Sequence, residues 1–272
     1  LNLSPDEINK ILNAPPKPQD TSENKAAERI KEGIVNQLQT LEDWIALAID
    51  TKPELLKVLM GAVGNKLANK LLKYPRDVSA LIMTLPTEKA HLILENCKDS
   101  LYKVIKDGIA LNRALRILDD EKRIELFTLL EDKLPTMIKS CEDFGQAIQF
   151  LPEKQRETFF DTLKDQLPTM IKNGEDFGQV MEFLPKTQRE TFFNTIKDNL
   201  PTIIKSGKDF YHAYKSLNIE QKKEIYEIYK DKLLWVLEKS KSINIILRLF
   251  TPEQRQEIFQ LYKKQWGEIK AL

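Results

Sequence analysis

Basic side chains recur along this sequence every 33 residues. Guanidinium and ammonium groups repeated at one spacing could bind an acidic protein surface or a polyanionic headgroup. A second basic column consists of lysines, and an aspartate column follows it one residue later, which favours charge compensation on solvated helix faces. The first column contains Arg123, Arg156, Arg189, Lys222 and Arg255, and the second contains Lys164, Lys197, Lys230 and Lys263.

Two aromatic residues and a histidine interrupt the repeated pattern. Tyr211 occupies a column that reads Gly145 and Gly178 in the two clearest copies, His212 replaces a glutamine, and Trp235 replaces a threonine. Aromatic side chains at positions that are otherwise small or polar predict anchors of a binding interface. They could instead pack an altered junction between repeats, where a proline is lost. We predict Tyr211, His212, Trp235, Arg156, Arg189, Lys222 and Arg255 as partner-binding residues.

Catalytic and metal-binding motifs are missing from the sequence. It has two histidines, His91 and His212, and it lacks H-E-x-x-H, G-x-S-x-G, P-loop and Rossmann patterns. Cys97 falls in an apolar column and is interpreted as a core residue. Cys141 occupies a glycine column and is interpreted as mildly strained rather than reactive. We therefore predict a protein that is not an enzyme, with no catalytic residue, no metal and no cofactor.

The balance of positive and negative charge indicates which class of partner the chain can bind. The chain has 42 Lys and Arg against 41 Asp and Glu, giving a net charge of +1. General nucleic-acid binders usually carry a strong basic excess, so this balance argues against a nucleic-acid partner. No apolar run is long enough to cross a bilayer, and only nine glycines in 272 residues favour helix over sheet.

Four columns of apolar residues, each with a period of 33, must position these side chains. A fixed period of this size is typical of a solenoid, in which each unit buries its apolar face against its neighbours. The ankyrin and tetratricopeptide signatures are both missing. The columns are Leu101, Leu134, Leu167, Leu200, Leu233 and Trp266; Val78, Leu111, Phe144, Phe177, Phe210 and Ile243; Leu85, Leu118, Leu151, Leu184, Leu217 and Phe250; and Leu94, Phe127, Phe160, Phe193, Tyr226 and Phe259.

Within one repeat the pattern predicts two helices and a short third turn. Phe177, Val180 and Leu184 have helical spacing. Pro185 suits the first turn of a second helix, and Pro201 should end that helix. Gly207 suits the left-handed residue that follows a helix. The predicted lengths are about ten, about fourteen and a few residues.

We therefore predict an all-α protein, a superhelical α-solenoid of helical-hairpin repeats similar in class to tetratricopeptide, armadillo and HEAT arrays. Residues 1–40 should form an N-terminal helical cap and linker, since an uncapped end would expose apolar surface. Residues 41–272 should form the solenoid, with a degenerate repeat at 41–75 and regular repeats from about 76 to 272.

The repeat unit "LPTMIK..EDF....FLP..QRE.FF..IKD.LP", clearest over residues 134–202, resembles α-helical repeats of secreted effector proteins of Legionella and related intracellular bacteria. Weaker agreement extends over about 100–265. The resemblance implies delivery from the bacterial cytoplasm into the host cytosol by type IV secretion. It also implies a host protein or another bacterial effector as the partner.

The leading functional hypothesis is a non-enzymatic protein–protein interaction module, a bacterial effector or effector regulator that inhibits a partner by occlusion. One alternative is an anionic-lipid or inositol-phosphate binder at a membrane surface, which would use the basic columns. A second alternative is an enzyme with an unrecognised site.

Overall fold

The chain is an all-α solenoid, as predicted. The computed structural model describes residues 22–230, 232–233 and 243–270, and every regular element in these ranges is helical. None of the helices described is long and apolar enough to cross a membrane. The first nine helices are α1 (Ser22–Gln37), α2 (Leu41–Asp50), α3 (Pro53–Leu71), α4 (Pro75–Thr84), α5 (Thr87–Asn96), α6 (Lys98–Val104), α7 (Gly108–Leu115), α8 (Asp120–Leu130) and α9 (Leu134–Met137). They are followed by α10 (Cys141–Ile148), α11 (Glu153–Leu163), α12 (Leu167–Met170), α13 (Gly174–Phe183), α14 (Lys186–Ile196), α15 (Leu200–Ile203), α16 (Gly207–Lys215), α17 (Ile219–Tyr229), α18 (Ile243–Leu247) and α19 (Pro252–Lys270).

Each regular repeat consists of an A helix, a B helix and a short C helix. In the copy that begins at Gly174 these are α13, α14 and α15. The observed A helix has ten residues, and the B helix has eleven, followed by a three-residue 3₁₀ turn at Lys197–Asn199. The B helix therefore ends before Pro201, contrary to the prediction. Pro201 lies instead in the first turn of α15, where its missing N–H is tolerated.

The chain divides into two compact units. Unit 1 contains the described residues up to Met137 together with Phe150–Gln155, and unit 2 contains Ile138–Gln149 with the described residues from Arg156. In unit 1, α1 packs against α3. The Lys70 ammonium group donates to the backbone carbonyls of Val35 and Leu38, both at 2.8 Å, and so ties the C-terminal end of α1 to the first repeat.

The predicted apolar columns form the core. Val78, Leu111, Phe144, Phe177 and Phe210 are fully buried, and the Leu101 and Leu85 columns are buried at every position whose side chain is described. Phe259 is the exception, since 55% of its surface is exposed. The same column position is otherwise buried from Leu94 to Tyr226. The repeat period thus identified the core because each copy buries the same side chain against its neighbour.

The glycine column has a different role from the predicted one. Gly174 and Gly207 each begin an A helix, and no residue in the described ranges has a positive φ. The preceding Asn173 is an N-cap whose side chain accepts a hydrogen bond from the Asp176 backbone N–H at 2.9 Å. The prediction of a left-handed residue after a helix was wrong, and Cys141, the first residue of α10, is not strained by a positive φ.

Candidate functional site

Neighbouring A helices lie side by side in both units. In unit 1 α4 contacts α7, and in unit 2 α13 contacts both α10 and α16. Glycine permits the close approach in unit 2. A Cβ at Gly174 would lie 1.9 Å from the backbone oxygen of Asp209, and one at Gly178 would lie 2.7 Å from that of His212. The outer faces of these helices are the surfaces on which side chains from successive repeats come together.

The outer face of α4 and α7 in unit 1 carries three arginines. Arg113 and Arg116 are exposed, and neither side chain has a hydrogen bond or ion pair within the residues that the structure describes. Arg76 lies at the start of α4 with 78% of its side chain exposed, and its guanidinium carbon is 5.1 Å from the centre of the Tyr74 ring. Tyr74 is itself 57% exposed. Cations and an aromatic surface are therefore available together.

The same face is nearly free of opposing charge. Helix α7 contains no acidic residue, and the one acid of α4, Asp77, accepts hydrogen bonds from the backbone N–H groups of Lys73 and Tyr74, both at 2.8 Å. Asp77 also approaches the Arg76 Nε atom, at 3.9 Å. Exposed apolar side chains complete the surface. We call this surface the α4–α7 face, and it comprises Tyr74, Arg76, Met83, Ile109, Arg113, Arg116 and Ile117.

Unit 2 contains a polar groove between α13 and α16. Its volume is about 420 Å³, within the range of small-molecule sites. At the N-terminal ends of the two helices a salt bridge joins Glu175 to Lys208 at 2.8 Å. The Lys208 hydrogen bond lowers the pKa of Glu175, and the same contact raises the pKa of Lys208. The groove is lined by Glu175, Gly178, Gln179, Glu182, Arg189, His212, Lys215 and Ser216.

Some arginines of the basic column, which was predicted to bind a partner, donate hydrogen bonds to backbone carbonyls of the protein itself. Arg189 donates from Nε to the Leu184 carbonyl at 2.9 Å and from Nη2 to the Glu182 carbonyl at 2.8 Å, at the C-terminal end of α13. Arg156 donates similarly to the Gln149 carbonyl at 3.2 Å, after α10. Cations at these ends satisfy carbonyls that lack helical partners and interact favourably with the helix dipole.

The remaining predicted residues are dispersed. Lys222 is half-buried, with its ammonium group 5.5 Å from the centre of the Tyr214 ring, and Arg255 is exposed on α19. Tyr211 and His212 are half-buried, and their rings meet edge to face at 5.4 Å. Trp235 lies outside the described residues. Of the predicted set, the groove brings together only Arg189 and His212.

The arginines of the α4–α7 face were not predicted, although the sequence contained a signal. Arg113 and Arg116 stand where the next two repeats have glutamine or glutamate. The predicted departures from the repeat lie in the copy after Pro201, and the copy around residue 113 departs from the repeat as well. Column-by-column comparison of every repeat would have identified them.

Neither cysteine has the properties of a reactive thiol. Both are free and buried, and burial raises the pKa of the Cys97 thiol and of the Cys141 thiol to about 12. No group of potential metal ligands forms within the described part of the chain. A neutral, buried thiol is a poor nucleophile because the thiolate is the reacting species.

We expect the native protein to resist a thiol-specific chromogenic reagent at mildly alkaline pH. Its two cysteines should react slowly in buffer and completely after denaturant is added. The measurement is the rate of chromophore release with and without denaturant. Rapid modification of the native protein would contradict the burial of Cys97 and Cys141 seen here.

The chain is similar to known proteins in its fold. No protein-family model and no curated protein matches the sequence. The chain is similar to two solved structures of the Puf3 RNA binding domain, which are bound to recognition sites B and A of the Cox17 RNA 3′ UTR. The site-B structure has a TM-score of 0.45 at 16% identity, covering 94% of this chain and 69% of that one. The site-A structure has the same TM-score, identity and coverage of this chain, and 71% of its own length is covered.

These structures contradict two of our predictions. Both are RNA-binding domains in complex with RNA. The contradicted predictions are that of a protein-binding effector, with its lipid-binding and enzymatic alternatives, and the exclusion of nucleic acid. The exclusion rested on a net charge of +1. Net charge sums over all faces of a protein, so it conceals a local surface such as the α4–α7 face.

Proposed function

We propose that this chain is a non-catalytic RNA-binding protein that holds single-stranded RNA on the α4–α7 face. One observation carries the proposal: the exposed guanidinium groups of Arg113 and Arg116 have no partner among the described residues and share a face with Arg76 and the exposed Tyr74 ring. Guanidinium groups bind phosphate oxygens, and both guanidinium planes and aromatic rings stack on unpaired bases.

The apolar residues of this face favour single strands over duplex. Met83, Ile109 and Ile117 are between 37% and 52% exposed and lie among the arginines. A duplex presents mainly phosphate and sugar to a protein surface, whereas an unpaired strand also presents base faces that apolar and aromatic side chains can cover. The surface therefore fits a strand whose bases are unstacked.

The test is RNA binding by the Arg113→Ala/Arg116→Ala double variant. The probe is a fluorescein-labelled oligouridylate of about 20 nucleotides, long enough for several contacts. Fluorescence anisotropy should show salt-sensitive binding by the wild type and at least about tenfold weaker binding by the variant. Between about 50 and 200 mM salt, the slope of log K against log salt should fall in magnitude by about 1.4, as expected when two phosphate contacts to a single strand are lost.

The matched control removes two positive charges elsewhere in unit 1. Arg29 on α1 and Lys57 on α3 are exposed and lie off the α4–α7 face. The Arg29→Ala/Lys57→Ala variant should bind with nearly wild-type affinity. Equal losses in the two double variants would show that only overall charge matters. Absence of binding by the wild type at low salt would refute the proposal outright.

The origin of the chain is a separate question. Because its repeat unit resembles those of Legionella effectors, we also propose type IV secretion into a host cell. It is supported by the residues 134–202 that carry the repeat motif. Detection of an epitope-tagged protein in host cytosol, in a manner dependent on the secretion system, would test it.

A further inference from the structure

We propose that the groove between α13 and α16 binds a guanine base of the RNA. This inference rests on the proposed function and adds base selectivity to it. The groove lies within unit 2 and is lined by side chains of two successive repeats.

The groove is open because of one small residue. Phe183 on α13 lies against Gly145 of the preceding A helix, where a Cβ would be 2.9 Å from its ring. One repeat later, 33 residues on, the position of Phe183 is occupied by Ser216, which lines the groove. The phenylalanine that covers one junction between A helices is therefore replaced by a serine at the next. A space of about 420 Å³ remains there.

Two opposite charges face this space without pairing. Glu175 and Lys208, which are 33 residues apart, form a 2.8 Å salt bridge at one end of α13 and α16. Glu182 and Lys215, which have the same 33-residue separation, both line the groove. Across the described residues, no hydrogen bond or ion pair engages either the Glu182 carboxylate or the Lys215 ammonium group. A ligand that enters the groove can therefore meet one free acceptor and one free donor.

Guanine matches this arrangement best among the RNA bases. Its Watson–Crick edge places two adjacent donors, N1–H and the N2 amino group, beside the O6 acceptor. A carboxylate such as that of Glu182 can accept both donors at once, and an ammonium group such as that of Lys215 can donate to O6. Uracil, cytosine and adenine each offer only one donor position on this edge, so none can use both carboxylate oxygens in the same way.

The other groove residues complete the site. The Gln179 amide offers a donor and an acceptor, and the Ser216 hydroxyl donates to the Ala213 carbonyl at 2.8 Å while its lone pairs remain able to accept. His212 also lines the groove. Arg189 uses its guanidinium on backbone carbonyls of α13 and the residue after it, so it shapes the groove.

The test compares two labelled RNAs of about 20 nucleotides, one of uridines only and one with guanosines at regular intervals. The wild type should bind the guanosine-containing RNA about tenfold more tightly, as expected for one bidentate base contact. Glu182→Gln should reduce this advantage to within about twofold and leave oligouridylate binding unchanged. Ser216→Phe should have the same effect, because it restores the side chain that covers the preceding junction.

The matched control is Glu142→Gln, which removes another exposed carboxylate, on α10 and outside the groove. It should keep the full guanosine advantage. GMP added as a competitor distinguishes a site for free nucleotide from a site that requires the RNA strand. If the groove binds free nucleotide, a low concentration of GMP should abolish the tighter binding of the guanosine-containing RNA. Equal affinity for both RNAs, with binding still dependent on Arg113 and Arg116, would overturn the guanine site and leave the proposed function intact. No binding of either RNA would overturn both.

Discussion

Replacing Gly174 with alanine should lower the free energy of unfolding by about 3 kcal/mol or more, although alanine is normally the better helix residue. The added Cβ would lie 1.9 Å from the backbone oxygen and 2.4 Å from the backbone carbon of Asp209. A backbone obstacle cannot rotate away as a side chain can. Either α13 or α16 must therefore shift, and these two helices pack directly against each other.

The matched control is Gly61→Ala in the interior of α3. A Cβ there meets only the Asn96 side-chain oxygen, at 3.9 Å, which is ordinary contact. This variant should gain about 0.5–1 kcal/mol from the lower entropy of its unfolded chain. Urea unfolding followed by far-UV circular dichroism gives both values. If the two variants unfolded at the same urea concentration, the close approach at Gly174 would not be the reason for its glycine.

The fold could be predicted because a repeat array uses the same residue for the same purpose in every copy. Phe144, Phe177 and Phe210 occupy one column, and all three are fully buried. Periodicity thus reports burial without knowledge of the curvature or the neighbours. Periodicity does not show why a given residue type recurs at one position of the repeat, as the glycine column illustrates.

The glycine column, which contains Gly174 and Gly207, was misread because a glycine between helices has two physical explanations. A left-handed backbone and a close approach by another chain segment both require the absence of a Cβ. Only the second applies here, and the obstacle comes from Asp209, in the next repeat. In the structure the Asn173 side chain accepts a hydrogen bond from the Asp176 backbone N–H, and this N-cap defines the start of the helix at Gly174.

The candidate site was harder to predict because the recurrence of a residue in successive repeats does not show whether its side chain is available to a ligand. Arg156 and Arg189 recur, and the structure shows both donating to backbone carbonyls of the preceding segment. These carbonyls lie at the C-terminal ends of helices. The residue types alone do not show where each helix ends, so they do not show which arginines bind such carbonyls. Arg113 and Arg116 do not recur in the following copies, so they build no part of the shared scaffold and remain free for a ligand.

Phe210→Ala should lower the free energy of unfolding by about 3–5 kcal/mol, the range for buried phenylalanine. The Phe210 ring is fully buried and lies 5.3 Å from the ring of Tyr214, 5.6 Å from that of Tyr229 and 5.7 Å from that of Phe250, measured between centroids. The neighbours cannot easily fill the cavity. The Tyr229 hydroxyl donates to the Leu200 carbonyl at 2.6 Å, which fixes its ring.

Phe259→Ala is the control, since it deletes the same side chain from a column position that is buried in earlier repeats but 55% exposed here. Its cost should be below about 1 kcal/mol, because little apolar surface is returned to water and no closed cavity forms. Urea unfolding of both variants, monitored by tyrosine fluorescence and far-UV circular dichroism, separates the cases. A cost below about 1 kcal/mol for Phe210→Ala would mean that the aromatic cluster relaxes around the vacancy and does not hold α16 in place.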